Sequence, residues 1–408
     1  MPQGRLDVAG RDHVGMTGLR NRSEVAAGFD GVAITGLAAG HLVVDLCTGV
    51  LPALLPLFVE QFSLSDLQAT MILGASLLAS SAIQPIFGIV ADRRGAPWLR
   101  WGGVAVGSAG VAAAGLAGSY LAVLACVIIS GLGIAAYHPE AARVANQASA
   151  GRPATGLAWF MLGGNLGFSL GPLLVGVAAP FIGLRATLFV LVPGLIVTAW
   201  LRLLSARVAL PTHTSTGVGP RPVSNVAGVV ILLVVTTLRT WTFFVMLALV
   251  PLLLSRQRGL SDALTSLSVF LFTAGATIGT LLGAQLAERI GSRRMLMWTM
   301  PVATPLVVAV VLLPVGPAVA VVGLCGGVLM ASFSVTVALG QRYMPSRLAL
   351  AAGLLIGFGA IGSAPPGLAL FGAFADAAGR ETALLWLAAL PALGGLIAYL
   401  LPEPVEAR

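Results

Sequence analysis

The sequence predicts an all-α membrane protein: twelve transmembrane helices arranged as two parallel six-helix bundles, with both termini cytoplasmic. Three observations carry that expectation. The 408 residues are 57% hydrophobic and only 9% charged, where soluble domains carry about 25% charged residues. The arginines collect on alternate sides of successive apolar segments. The chain also repeats its own polar punctuation at a spacing of 195–196 residues.

Composition excludes several classes first. With a mean hydropathy of +0.96, a soluble chain of this length would lack the polar residues needed to dress its surface. A soluble enzyme and a disordered protein both fit poorly. The net charge of +8 comes from 23 arginines, with no lysine, against 15 acids. They stand singly or in pairs between apolar runs, so they mark topology and give no phosphate-binding patch for nucleic acid. Cys47, Cys126 and Cys325 lie inside apolar stretches, with no disulfide framework and no metal-ligand spacing.

Residues 1–30 form a mixed, charge-balanced cytoplasmic tail with no signal-peptide pattern. Apolar segments follow at roughly 32–59, 66–90, 97–118, 120–147, 154–181 and 185–207. Residues 208–225, rich in Pro, Thr, Ser and Gly, read as a cytoplasmic linker between bundles spanning 31–207 and 226–402. The second set falls at roughly 226–254, 263–287, 295–314, 317–343, 348–375 and 382–402, ahead of a short tail at 403–408. Each is about the 20 residues that a helix needs to cross the bilayer core. Gly and Pro interrupt nearly all of them, as membrane helices tolerate.

With the N-terminus inside, eighteen arginines fall on the cytoplasmic side: Arg5, Arg11, Arg20, Arg22, Arg93, Arg94, Arg100, Arg143, Arg152, Arg202, Arg207, Arg221, Arg289, Arg293, Arg294, Arg342, Arg347 and Arg408. The opposite loops hold four, Arg185, Arg256, Arg258 and Arg380, and Arg239 lies inside a span. Gaining or losing one helix would scramble that alternation.

The repeat aligns more than hydropathy. Leu64-Ser65-Asp66 falls on Leu260-Ser261-Asp262, Asp92-Arg93 on Glu288-Arg289, Pro56 on Pro251, Arg185 on Arg380 and Thr187 on Thr382. Two parallel six-helix repeats with a site at the midplane between them resemble the plan of the major facilitator superfamily. The stretch Gly88-Ile-Val-Ala-Asp92-Arg93-Arg94-Gly95 resembles that superfamily's loop motif, with a degraded copy at Glu288-Arg289-Ile290-Gly291 and a related Gly372-Ala-Phe-Ala-Asp376. The resemblance implies gating roles for Asp92, Arg93, Glu288, Arg289 and Asp376. Gly167-Phe-Ser-Leu-Gly171-Pro172 is similar to the antiporter motif, although Val175 stands where that motif has glycine. Small residues four apart permit close helix packing, and proline loosens the backbone ladder, so Gly171 and Pro172 are candidate gating positions.

A narrower resemblance follows from His41-Leu-Val-Val-Asp45, Tyr137-His138-Pro139-Glu140 with Arg143, Gly163-Gly164-Asn165-Leu166-Gly167, Leu238-Arg239-Thr240-Trp241 and Gly259-Leu260-Ser261. These are similar to the fosmidomycin resistance protein family, over about residues 35–400. That likeness implies drug export driven by inward proton flow.

Charges at membrane depth are costly and usually functional. Asp45 and Arg239 each lie thirteen residues into pseudo-equivalent spans. They are expected to pair in the empty cavity, so that proton and anionic substrate compete for one charge balance. A permanent pair that only holds the halves together is the competing reading. His41, one turn before Asp45, is a candidate proton relay. Glu140 is a candidate proton site or, with Arg143 three residues on, part of a cytoplasmic gate that could include Asp92. His138, Tyr137, Asn165 and Trp241 are candidate substrate contacts beside Arg239.

The sequence has no P-loop, His-Glu-x-x-His or Gly-x-Ser-x-Gly motif, so neither an ATP-driven pump nor an enzyme is indicated. The expected function is proton-coupled secondary transport, most simply export of a small, anionic, drug-like molecule from a bacterial cytoplasmic membrane. A proton-coupled importer of a small organic anion, or a membrane sensor that transports nothing, are the alternatives. The expected partners are substrate, protons and membrane lipid. No cofactor beyond the proton gradient is expected, and the fold usually acts as a monomer.

Overall fold

A computed structural model describes residues 30–94, 96–149, 153–205, 225–344, 351 and 353–402. Among these residues the chain is helical throughout, without a strand. The N-terminal half comprises α1 (Gly31–Phe62), α2 (Asp66–Ala82), α3 (Gln84–Arg94), α4 (Trp98–Ala114), α5 (Tyr120–Ala148), α6 (Pro153–Ile182) and α7 (Leu191–Ser205). A 3₁₀ stretch, Gly183–Val190, joins the last two. The C-terminal half comprises α8 (Val226–Leu252), α9 (Asp262–Ile290), α10 (Ser292–Leu312), α11 (Val315–Met330), α12 (Phe333–Tyr343), α13 (Ala364–Ala378), α14 (Arg380–Leu387) and α15 (Ala389–Ala398). π-helical turns follow α8 at Leu253–Gln257 and precede α13 at Gly353–Gly362.

Local chemistry sets the helix ends. The Asp30 carboxylate accepts from the Ala33 amide at 2.9 Å, and Asn225 caps α8 through Gly228 at 2.9 Å. Ser65 and Gln68 form a reciprocal capping box at the start of α2, and its repeat partner Ser261 accepts from the Leu264 amide at the start of α9. Ser63 closes α1 in a left-handed conformation, with φ 51°. Gly291 and Gly379 turn the chain into α10 and α14 with φ of 90° and 87°, a region that favours glycine.

Ten segments among the described residues are long and apolar enough to cross a membrane. Two differences from the twelve expected spans have physical causes. Ala158–Ser205 is one continuous 48-residue run. Straight, it would be about 72 Å long, more than twice the roughly 30 Å bilayer core, and the 3₁₀ stretch interrupts it. The segment expected at 97–118 forms a 17-residue helix, Trp98–Ala114. Other spans are broken where the sequence breaks them: α2 from α3 at Ile83, before Pro85, and α11 from α12 at Ala331-Ser332.

The closest packing uses missing side chains. On α6, a Cβ at Gly163, Gly167 or Gly171 would overlap the α1 backbone at Ala38, Leu42 and Gly49 respectively. In the C-terminal half, Gly275, Gly279 and Gly283 of α9 meet the backbone of Gly323 and Gly327 in α11 and of Ala331 just beyond it. Such small-residue faces let membrane helices approach to backbone contact. Large apolar residues, including Val177, Phe181, Leu195, Trp298 and Leu396, lie exposed on the outside.

Candidate functional site

α1 carries His41 and Asp45 one turn apart, and α5 carries His138 just before Pro139. These three side chains converge. His41 Nε2 lies 3.3 Å from Asp45 Oδ2, His138 Nε2 lies 3.4 Å from Asp45 Oδ1, and the two Nε2 atoms are 3.2 Å apart. The other ring nitrogens are tied to backbone carbonyls: His41 Nδ1 to Phe160 and His138 Nδ1 to Ile134, each at 2.8 Å. A carbonyl only accepts, so both Nδ1 atoms carry the proton and both Nε2 atoms turn toward the carboxylate. Phe160 of α6 also stacks on the His41 ring at 4.1 Å. Gly164, on the next turn of α6, makes room for the cluster, since a Cβ there would lie 2.5 Å from His41 Nε2 and 2.6 Å from Asp45 Oδ2. His41 is buried, whereas the Asp45 and His138 side chains are 26% and 23% exposed, which leaves the cluster one open side.

Arg239 on α8 is fully buried. Its Nη1 donates weakly to Ser332 at 3.3 Å and Thr336 at 3.4 Å, and its guanidinium lies 5.4 Å from the Phe333 ring centroid. Its Nε has no hydrogen-bond partner, and no carboxylate pairs with it among the described residues. The expected Asp45–Arg239 pair is therefore not formed. Two imidazoles take the acid, and the hydroxyls at the α11–α12 break take the base.

Glu140 does not join the histidine cluster. Its carboxylate receives a two-pronged bond from Arg143, Nε and Nη2 each at 2.9 Å, and Arg100 Nε lies 4.0 Å away. Gln147 accepts a further bond from Arg143 at 3.2 Å. Glu140 follows His138 by two residues, which turns it to another face of α5. Tyr137, expected to touch substrate, is fully buried and donates its hydroxyl proton to the Leu37 carbonyl of α1. The Trp241 indole N–H donates to the Ser363 carbonyl at 2.7 Å, and its ring lies against Gly367, so it joins α8 to α13. Asn165 is half-buried on α6 beside Gly164. Pro172 lies within α6, one residue after the Gly171 contact. Arg289 is exposed in the last turn of α9. The side chains of Asp92, Arg93 and Glu288 lie outside the described residues.

Of the residues that join the two halves, sequence reasoning names Asp376 as a gating residue but not its partners, and it misses the other contacts. Asp376 of α13 accepts from the backbone amides of Asp66 and Leu67 at 2.6 and 3.1 Å, while the Asp66 carboxylate accepts from Arg380 Nε at 2.8 Å. Arg256 reaches Glu60 at 2.8 Å and the Pro56 carbonyl at 2.6 Å. Midway, Ser169 of α6 meets Thr277 of α9 at 3.2 Å. Apart from that one, these bonds cluster at the end where α1 finishes and α2 starts. The repeat had marked Asp66 and Arg380 as punctuation without revealing that they meet.

A helical bundle with ten membrane-length apolar segments among the described residues and ionisable groups buried inside it defines a multi-pass membrane protein. The Major Facilitator Superfamily profile matches residues 37–365, and the chain belongs to that superfamily. It is 30% identical over 371 residues to the fosmidomycin resistance protein of Escherichia coli, covering 89% of this chain and 91% of that one. It is 30% identical over 387 residues to the MFS-type transporter YfnC of Bacillus subtilis, covering 90% and 92%. In fold it is similar to an inward-facing, unoccupied bacterial homologue of the human lysosomal transporter Spinster, with TM-score 0.74, 17% identity and coverage of 90% and 96%. It is also similar to the nucleoside transporter NupG, with TM-score 0.72, 13% identity and coverage of 91% and 99%.

Proposed function

We propose that this protein is a proton-coupled antiporter that exports a small anionic molecule across a bacterial cytoplasmic membrane by alternating access. The observation that carries the reading is the segregation of buried charge between the halves. Three titratable groups meet on α1 and α5, and a lone guanidinium is buried on α8, the repeat partner of α1. Burying an unpaired cation is costly, and an anionic ligand at Arg239 would offset that cost. His41, Asp45 and His138 hold the proton, Arg239 holds the anion, and Glu140 with Arg143 braces α5. Asn165 flanks the proton site.

The reading includes twelve spans, both termini cytoplasmic, with bundles at 31–207 and 226–402 joined by the 208–225 linker. The 48-residue run then supplies two spans and Trp98–Ala114 another. In that orientation the end latched by Asp66, Asp376, Arg380 and Arg256 is the outer one, so this conformation is closed to the outside. Export draws support from the fosmidomycin resistance relative, and a phosphonate is the first substrate to try.

The test is transport in proteoliposomes. Wild type should drive fosmidomycin or another small phosphonate uphill when a proton gradient is imposed. Asp45→Asn should lose uphill transport and keep substrate exchange at equal pH. Uphill transport at the wild-type rate in Asp45→Asn would overturn the proton role.

A further inference from the structure

We infer that His41, Asp45 and His138 form a binding site for a divalent transition-metal ion of the Zn²⁺ class. Ligand spacing is the first argument. Zinc bound at about 2.0–2.1 Å to nitrogen and oxygen in a tetrahedron holds its ligands about 3.3 Å apart. The two Nε2 atoms are 3.2 Å apart and each lies 3.3–3.4 Å from its own oxygen of Asp45, so the carboxylate spans the imidazole pair, and one ligand atom from each residue lies within 4.8 Å of the others.

The outer contacts are the second argument. A metal-binding imidazole characteristically donates its remote N–H to a carbonyl or carboxylate, which fixes its tautomer and aims its lone pair. Both imidazoles do so here, to Phe160 and Ile134. Their Nε2 atoms thus face each other and the two oxygens of Asp45, an arrangement of acceptors that a cation relieves. Gly164 keeps the adjacent space free of a side chain.

Three protein ligands with one open side leave a fourth position free, the pattern of a site that exchanges its ion or binds a further ligand through it. Two imidazoles and one carboxylate favour Zn²⁺, Co²⁺ or Ni²⁺ over Mg²⁺ and Ca²⁺, which prefer all-oxygen shells. The inference needs only the folded triad and does not rest on the direction or coupling of transport.

The test uses the full chain, freed of any affinity tag, in detergent. Calorimetric titration with Zn²⁺ should give one ion per chain, and Mg²⁺ should give none. Co²⁺ should produce the intense visible absorption of a tetrahedral site. His138→Gln and Asp45→Asn should each weaken binding at least about tenfold, and His41→Gln with His138→Gln should abolish it. A His13→Ala/His213→Ala control should bind as wild type does. Absence of stoichiometric Zn²⁺ binding to wild type would overturn the inference. So would binding that survives the His41/His138 double change or disappears in the His13/His213 control. The Co²⁺ spectrum of wild type decides independently of how the variants fold, because the pale spectrum of a six-coordinate ion would equally sink the site. Loss of the metal site would leave the transport reading standing, since that depends on proteoliposome flux.

Discussion

The Asp376 carboxylate caps the first turn of α2 from across the molecule, holding the amides of Asp66 and Leu67 at 2.6 and 3.1 Å. An anion at a helix N-terminus is favoured by the helix dipole as well as by the two bonds. Asp376→Ala should therefore release the latched end. Hydrogen bonds to a charged group contribute about 1.5–3 kcal/mol, so the ratio of unlatched to latched protein should rise about tenfold or more. Spin labels at positions 118 and 316, with the three native cysteines replaced, should show a longer-distance population. An unchanged distance distribution would refute the latch.

Arg256→Ala should matter less at the same end. Glu60, its carboxylate partner, is 68% exposed, and exposed pairs contribute about 0–1 kcal/mol. The same labels should shift less than in Asp376→Ala, and the reverse order would show that the Pro56 carbonyl bond dominates.

Gly164→Ala should damage the histidine cluster without replacing any of its own residues. Its methyl would meet His41 Nε2 at 2.5 Å, and overpacking costs about 1–3 kcal/mol. Gly102→Ala is the control, because its nearest new neighbour would be Trp98 at 3.8 Å. The thermal midpoint in detergent should fall for the first and hold or rise for the second.

Tyr137→Phe separates burial from binding. It removes the bond to the Leu37 carbonyl, worth about 0.5–1.5 kcal/mol, and should lower thermal stability accordingly. Substrate affinity should not change, since Tyr137 is fully buried. A large affinity loss with unchanged stability would return Tyr137 to the substrate site.

Glu140→Gln should destabilise strongly. Breaking a buried pair strands its partner and costs about 3–5 kcal/mol, and here Arg143 and the buried Arg100 both lose their acid. A variant as stable as wild type would argue against the bracing role.

The helical membrane architecture was legible because hydropathy and the glycine and proline punctuation both reflect one constraint, the bilayer. Asp45 and Arg239 stood out for the same reason, as charges where charge is expensive. Their partners did not stand out. The Asp45–Arg239 pairing was inferred from depth along the helices, and depth carries no azimuth. What decides it is where Pro139 and the Ala331-Ser332 break turn His138 and the α12 hydroxyls. The Asp66–Arg380 bond joins residues 314 positions apart, and no local pattern encodes such a contact.

The glycine seams of α1 with α6 and of α9 with α11 have a mechanical consequence. Where main chain rests on main chain, no side chain can change rotamer to absorb strain, so each helix pair behaves as a stiff beam. A displacement produced at the His41 cluster, which sits on one such beam, travels its length instead of dissipating beside it. Outside these seams lie the 3₁₀ stretch at 183–190 and the π turns at 253–257 and 353–362, where the α-helical hydrogen-bond pattern is interrupted. A side chain added at Gly163, Gly167, Gly171, Gly275, Gly279 or Gly283 would overlap the facing main chain, so it would part the beam and not merely crowd it.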